Sequence, residues 1–204
     1  MITKRRYLSQ NILKDLASGK MVFVGGPRQV GKTTMAKNIG EIDYPDFAYL
    51  NWDSREDRKN IIANSFPAES QLIIFDELHK YRQWKNYLKG LYDKNDDRKQ
   101  ILVTGSARLD LYRHGGDSLM GRYHYYRLHP FSLREMLGIA PKVDIGQELD
   151  FLKNQAELFT AKELLFKFGG FPEPLFAQDE TVWRRFRNER LDRLIKEDIR
   201  ELET

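Results

Sequence analysis

An α/β fold built on a parallel sheet is the class this sequence predicts, and three observations carry the prediction. Apolar, β-rich runs recur between residues 21 and 128, each separated from the next by a helical or turn-rich connection. Two of them, LIIF and ILV, are continuously apolar rather than alternating, the pattern of central strands covered on both faces. The first run leads at once into GGPRQVGKTT (residues 25–34), a glycine-rich turn that opens a helix.

Taken in order, residues 1–20 form a polar lead-in with Tyr7, Leu8, Ile12, Leu13 and Leu16 at helical spacing and Gly19 as its stop. The strands read as MVFVG (21–25), FAYLN (47–51), LIIFD (72–76), ILVTG (101–105) and YHYYRL (123–128). Between them, helices are predicted over 32–39, 55–64, 84–93 and a short piece near 108–112, with connections long enough for right-handed crossovers. Trp84, Tyr87, Leu88 and Leu91 share one face of the third helix and read as core. Beyond HPF (129–131) the strand pattern stops. Helices are predicted over 132–137, 147–153 and 161–168, then comes the turn-like GGFPEP (169–174). A last charged helix starts at about Asp179, with Val182, Phe186, Leu191, Leu194, Ile195, Ile199 and Leu202 as its apolar stripe. The expected division is a lead-in at 1–20, a core at 21–137 and a helical lid at 138–204. The last helix meets Thr204 without a Gly or Pro stop, which points to a longer parent chain.

Composition narrows the class. With 204 residues, 41% hydrophobic and 31% charged, and a mean hydropathy of -0.63, the chain reads as globular rather than disordered or membrane-embedded. No apolar run approaches the roughly 18 residues of a spanning helix, and MITKRRYLSQ lacks the apolar core of a signal peptide, so a cytoplasmic location without membrane contact is expected. The absence of cysteine excludes disulfides, thiolate zinc sites and cysteine redox chemistry. A net charge of +4 and a pI near 9.1 are too mild to decide for or against nucleic acid.

The motifs point to nucleotide chemistry. G-x-x-x-x-G-K-[ST], the Walker A pattern, is matched by Gly26, Pro27, Arg28, Gln29, Val30, Gly31, Lys32 and Thr33, with Thr34 continuing into the helix. A strand before it and a helix after it aim free backbone N–H groups and the helix dipole at a triphosphate. Lys32 is expected to reach the β and γ phosphates, and the Thr33 hydroxyl to ligate Mg²⁺. LIIFDELHK ends its strand in Asp76 and Glu77, a Walker B arrangement. Asp76 would join Thr33 at the metal, and Glu77 would orient and deprotonate the attacking water. ILVTGSARLDL sets Thr104 and Ser106 at the next strand's tip, either as a sensor of the γ phosphate or as caps of the following helix. Arg122, in the Gly-Arg pair of SLMGRYHYYRLHPFS, is either a stabiliser of transition-state charge, within the chain or across to a neighbour, or a structural ion-pair partner. The same stretch reads as a single-stranded nucleic-acid patch or, as simply, as a partly buried fifth strand. The histidines lack a companion carboxylate at zinc-ligand spacing.

One strand, FAYLN, lies between the P-loop strand and the Asp-Glu strand. That count resembles the additional-strand, catalytic-glutamate division of P-loop ATPases, with sheet order 5-1-4-3-2, and implies hydrolysis. GPRQVGKTT, YLNWD, FDELHK followed by Trp84, TGSARL, SLMGRYHYYRLHPFSLREML and GGFPEP together resemble the prokaryotic AAA-type predicted ATPases, relatives of the STAND ATPases, from about Tyr7 to the last helix. The resemblance implies an AAA+ core followed by a small helical lid. In that lid Gly170-Phe171-Pro172 matches a Gly-x-Pro motif that lies over adenine, so Pro172 would touch the base; a helix end followed by a turn explains the same residues. It also implies a C-terminal domain beyond these residues, through which a protein partner or DNA would be engaged. The expected activity is Mg²⁺-dependent ATP hydrolysis, with ATP or ADP bound and an oligomer possible. The alternatives are a nucleotide-gated switch with negligible turnover and a DNA-associated ATPase.

Overall fold

Strands β1 (Met21–Gly25) and β3 (Leu72–Asp76) are buried at every residue, which requires a layer of structure on both faces of the sheet. The computed structural model describes residues 5–94, 99–105, 119–139 and 155–193. In it β2 (Phe47–Asn51) alternates between half-buried and buried positions, β4 (Gln100–Thr104) is buried over its last four residues, and β5 (Tyr123–Arg127) is a partly exposed edge. All pairings are parallel and the order is β2-β3-β4-β1-β5, the 5-1-4-3-2 arrangement of a P-loop NTPase with one strand inserted. The register aligns Asn51 with Asp76, Asp76 with Thr104, and Thr104 with Val24, so the carboxyl ends of four strands share one edge. Ligands of open α/β sheets bind at that edge.

Helix α1 (Ser9–Ala17) buries Ile12 and Leu16, with Leu8 just before it, and Gly19 at φ 80 turns the chain into β1. Helix α2 (Lys32–Asp43) runs four residues beyond the predicted stop at residue 39. Gly40 sits inside it, at a place where a Cβ would come within 2.6 Å of the Phe47 ring. Helix α3 (Arg55–Ala63) is capped by the Ser54 side chain and closed by Asn64 at φ 52. Helix α4 (Trp84–Asp93) matches the predicted span and buries Trp84 and Leu88, with Tyr87 and Leu91 packed against the same core. Phe23 links the layers, stacked 4.4 Å from the Tyr123 ring and edge-on to Trp84 at 5.7 Å.

The chain divides into two compact units, residues 1–129 and 130–204. In the second, Ser132 and Glu135 form a capping box for the short α5 (Leu133–Met136). Helix α6 (Gln155–Phe168) starts earlier than the predicted 161, and Gly169 at φ 75 ends it. GGFPEP is not all turn: Pro172 opens α7 (Pro172–Ala177), where its missing N–H is not needed. Gly170 lies so close to the Phe131 carbonyl that a Cβ would come within 2.6 Å of its oxygen. In α8 (Glu180–Arg193) Phe186 is buried, packing beside Phe171, whereas Leu191 is exposed. Leu194, Ile195, Ile199 and Leu202, and the helices predicted near 108–112 and 147–153, lie outside the described residues. Among the described residues no helix is long and apolar enough to cross a membrane.

Candidate functional site

The loop between β1 and α2 takes its shape from backbone that side chains would obstruct. Gly26 holds φ 147, and a Cβ there would strike the Leu128 carbonyl; Gly31 holds φ 94 as the residue before α2. Gln29, at φ 63, adds a third left-handed turn between them. No side chain caps the first turn of α2 and no acid lies in it, so its amides keep their affinity for an anion. Val30 is fully buried and anchors the loop, whereas Arg28, Gln29 and Thr34 are exposed and Pro27 is half-buried.

Lys32 folds back into this loop. Its Nζ donates to the carbonyls of Gly26 at 3.0 Å and Pro27 at 2.8 Å, and the residue is only 7% exposed. Burial pulls its pKa below the ordinary lysine value, Glu77 and then Asp76 oppose that by their charge, and Arg28 adds to it. Neutral carbonyls are poor partners for a desolvated ammonium compared with phosphate.

Asp76, 3% exposed, is the hub of the strand tips. Its Oδ2 accepts from Thr33 Oγ1 at 2.7 Å and from the Tyr49 hydroxyl at 2.8 Å, while Oδ1 accepts from Thr104 Oγ1. Burial, followed by the bond to Asp76, pushes the Tyr49 phenol above its ordinary pKa. Thr33 and Asp76 offer oxygen donors only. Mg²⁺ suits such a pair, since it keeps several waters and is bound by one or two protein groups plus substrate phosphates. Among the described residues no group of three or more His, Asp or Glu side chains is assembled for a softer metal.

Glu77 leaves the strand at φ 56, ψ 21, donating its N–H to the Thr104 carbonyl at 3.0 Å, and its carboxylate faces Lys80 Nζ at 3.3 Å. Thr104 is fully buried with its hydroxyl committed to Asp76, and Ser106 lies outside the described residues. Arg122 is not brought to the loop. Its carbonyl accepts from Met21 N–H at the start of β1, roughly 13 Å of strand away from Gly25. Its guanidinium pairs with Asp93, Nε to Oδ1 at 2.9 Å.

A family profile described as an AAA domain matches residues 18–137. The chain belongs to this AAA-domain family. It is a P-loop protein of the AAA ATPase type. An uncharacterised protein of Methanocaldococcus jannaschii is 27% identical over 205 residues, covering 96% of this chain and 45% of its own length. An uncharacterised protein of Mycobacterium tuberculosis is 25% identical over 195 residues, covering 90% and 38%. The chain therefore spans less than half the length of the curated relatives it matches. Among solved structures it is similar to the RuvB Holliday junction branch migration motor of Thermotoga maritima, with a TM-score of 0.42, 20% identity, and 64% of this chain and 48% of that one covered. It is also similar to the ORC1 protein of Aeropyrum pernix in complex with DNA, with a TM-score of 0.45, 12% identity, and 64% and 46% covered.

The AAA domain contains the loop, the strand tips and Arg122, while Pro172, the first residue of α7, lies outside the matched span. Sequence reasoning missed three contributors to the AAA domain's site. Tyr49 is one; its only signal was an aromatic with a polar tip two residues before the end of the neighbouring strand. Arg6 is the second, buried before α1, donating to the Val30 carbonyl at 2.8 Å and to the His129 carbonyl at 2.5 Å. The third is the Lys80–Asp53 pair beside Glu77.

Proposed function

We propose that this AAA domain binds ATP with Mg²⁺ and hydrolyses it to ADP and phosphate. The observation that carries the reading is the contact of Thr33 with Asp76, a hydroxyl and a carboxylate at metal-ligand positions beside a buried lysine in a glycine-shaped loop. Lys32 and the amides over residues 26–34 hold the phosphates. Thr33 and Asp76 hold the metal, and Tyr49 and Thr104 keep the Asp76 carboxylate aimed. The metal that Thr33 and Asp76 would hold would supply positive charge against that developing on the phosphoryl group. Glu77 accepts a proton from water as the water oxygen attacks the γ phosphorus and the bond to the β–γ bridging oxygen breaks. With the Thr104 hydroxyl committed to Asp76, Ser106 is the residue that senses the γ phosphate, and Pro172 rests on the base. Arg122, at the far end of β5, acts on nucleotide only from a neighbouring copy. Work is coupled to a protein partner or DNA through the rest of a longer, cytoplasmic protein.

The test uses the full-length protein and two variants. Lys32→Ala should lose ATP binding by calorimetry, whereas Glu77→Gln should keep it and lose phosphate release. Parental affinity in the first would remove the loop from the reading, and parental turnover in the second would remove Glu77. Tight binding with turnover at background in the parent itself would point to a nucleotide-gated switch.

A further inference from the structure

The loop after β2 and the turn after β3 are joined by an ion network that phosphate binding does not require. Glu77 begins a single turn of 3-10 helix, Leu78–Lys80, whose backbone closes with Lys80 N–H donating to the Glu77 carbonyl at 3.1 Å. Three residues per turn eclipse positions i and i+3, so the Lys80 side chain lies over that of Glu77. Lys80 Nζ sits 3.3 Å from Glu77 Oε2 and 2.5 Å from Asp53 Oδ2. His79 Nε2 stands farther from Glu77, at 3.8 Å.

Asp53 is placed with care for an exposed residue. Its N–H donates to Asn51 Oδ1 at 2.9 Å, the preceding Trp52 N–H donates to the Asp76 carbonyl at 3.0 Å, and Trp52 stacks on Tyr81 at 4.6 Å. Backbone and rings thus clamp the two segments, and Lys80 carries that clamp to the carboxylate. The Glu77 charge also supports the buried Lys32 ammonium, ahead of Asp76, so the carboxylate that pairs with Lys80 is coupled electrostatically to the P-loop lysine. Burial works against the Lys80 ammonium, but the bond to Asp53 and the charge of Glu77 outweigh it and keep the group more basic than an ordinary lysine.

We propose that Lys80, anchored by Asp53, is a positioning residue that fixes the orientation of the Glu77 carboxylate, so that the loop after β2 sets where the general base stands. The inference rests on the reading of Glu77 as that base. Both side chains are about half exposed, 42% for Lys80 and 54% for Asp53, so replacing them leaves the fold in place.

Single-turnover ATP hydrolysis and ATP affinity are measured in the full-length protein for Lys80→Met, Lys80→Arg, Asp53→Asn, the Lys80→Met/Asp53→Asn double variant and Glu77→Gln. Lys80→Met should slow the hydrolytic step about 10- to 100-fold with ATP affinity unchanged, the signature of misplaced chemistry rather than lost binding. Lys80→Arg should recover most of the rate. Asp53→Asn should slow it in the same direction, and the double variant should be no slower than Lys80→Met alone. A parental rate in Lys80→Met beside an inactive Glu77→Gln overturns the role of Lys80 and leaves Glu77 standing. A parental rate in Glu77→Gln overturns both. Weakened ATP affinity in Lys80→Met, no recovery with arginine, or fully additive losses each overturn the proposal as well.

Discussion

Tyr49→Phe removes one oxygen from the site and leaves the ring where it is, with Lys37 Nζ still 4.0 Å above its centre. The lost bond, 2.8 Å to Asp76 Oδ2, ends on a carboxylate that is 3% exposed. Hydrogen bonds to charged groups contribute about 1.5–3 kcal/mol, against about 0.5–1.5 kcal/mol for neutral pairs. Asp76 keeps Thr33 on the same oxygen and Thr104 on the other, and the half-buried phenol position admits some water. The expected loss is therefore at the lower end, about 1.5 kcal/mol. An internal standard is available in Tyr44→Phe, whose hydroxyl donates to the neutral Gln100 amide and should cost about 1 kcal/mol or less. Urea denaturation followed by tryptophan fluorescence, with m compared between variants, reads both values. If Tyr49→Phe loses under about 0.5 kcal/mol, the level of an ordinary surface change, the hydroxyl does not hold Asp76 and the hub described above is incorrect.

Alkaline pH offers a second test. Burial raises Tyr44 and Tyr126 to about 12, helped by the Asp43 charge at the first and by the hydrogen bond to Asp15 at the second. Their neutral forms are favoured in the folded state, so the stability they contribute is complete below pH 10 and is lost as pH rises toward 12. Urea midpoints of the parent should fall across that window and those of Tyr44→Phe/Tyr126→Phe should fall less; equal slopes refute the linkage. Gly26→Ala forces φ 147 on a residue with a Cβ that meets the Leu128 carbonyl, and should cost about 1–3 kcal/mol along with most of the nucleotide affinity. Calorimetric titration with ATP at parental affinity would show that the loop tolerates the added methyl.

Much of the fold was legible because its signals are local. Continuous apolar runs gave the central strands within a residue, and the Trp84–Asp93 amphipathic helix was found at both ends. The errors came where a residue's meaning depends on a distant partner. The helix after the P-loop reads as ending at residue 39, whereas it runs on through Gly40, where a Cβ would take the space Phe47 fills. Pro172 reads as part of a turn until its place at the first position of α7 is known. For the site, Lys32, Thr33, Asp76 and Glu77 declare themselves by motif, but Tyr49 depends on side-chain direction across two strands, which the sequence does not carry. Arg122 illustrates the opposite case. A parallel strand starting at Tyr123 puts residue 122 at the edge away from the P-loop, where its guanidinium pairs with Asp93, one of the two roles the sequence leaves open.

The buried guanidinium of Arg6 has a practical bearing on where the boundary of this domain is drawn. The matched span starts at Ser18, yet Arg6 supplies donors to the Val30 carbonyl inside the loop and to the His129 carbonyl at the last residue of the first unit. A fragment begun at Ser18 would orphan both oxygens and strip Leu8, Ile12 and Leu16 from the face they cover. The packed unit is thus wider than the recognisable one, and its amino-terminal margin is wired directly into the phosphate loop.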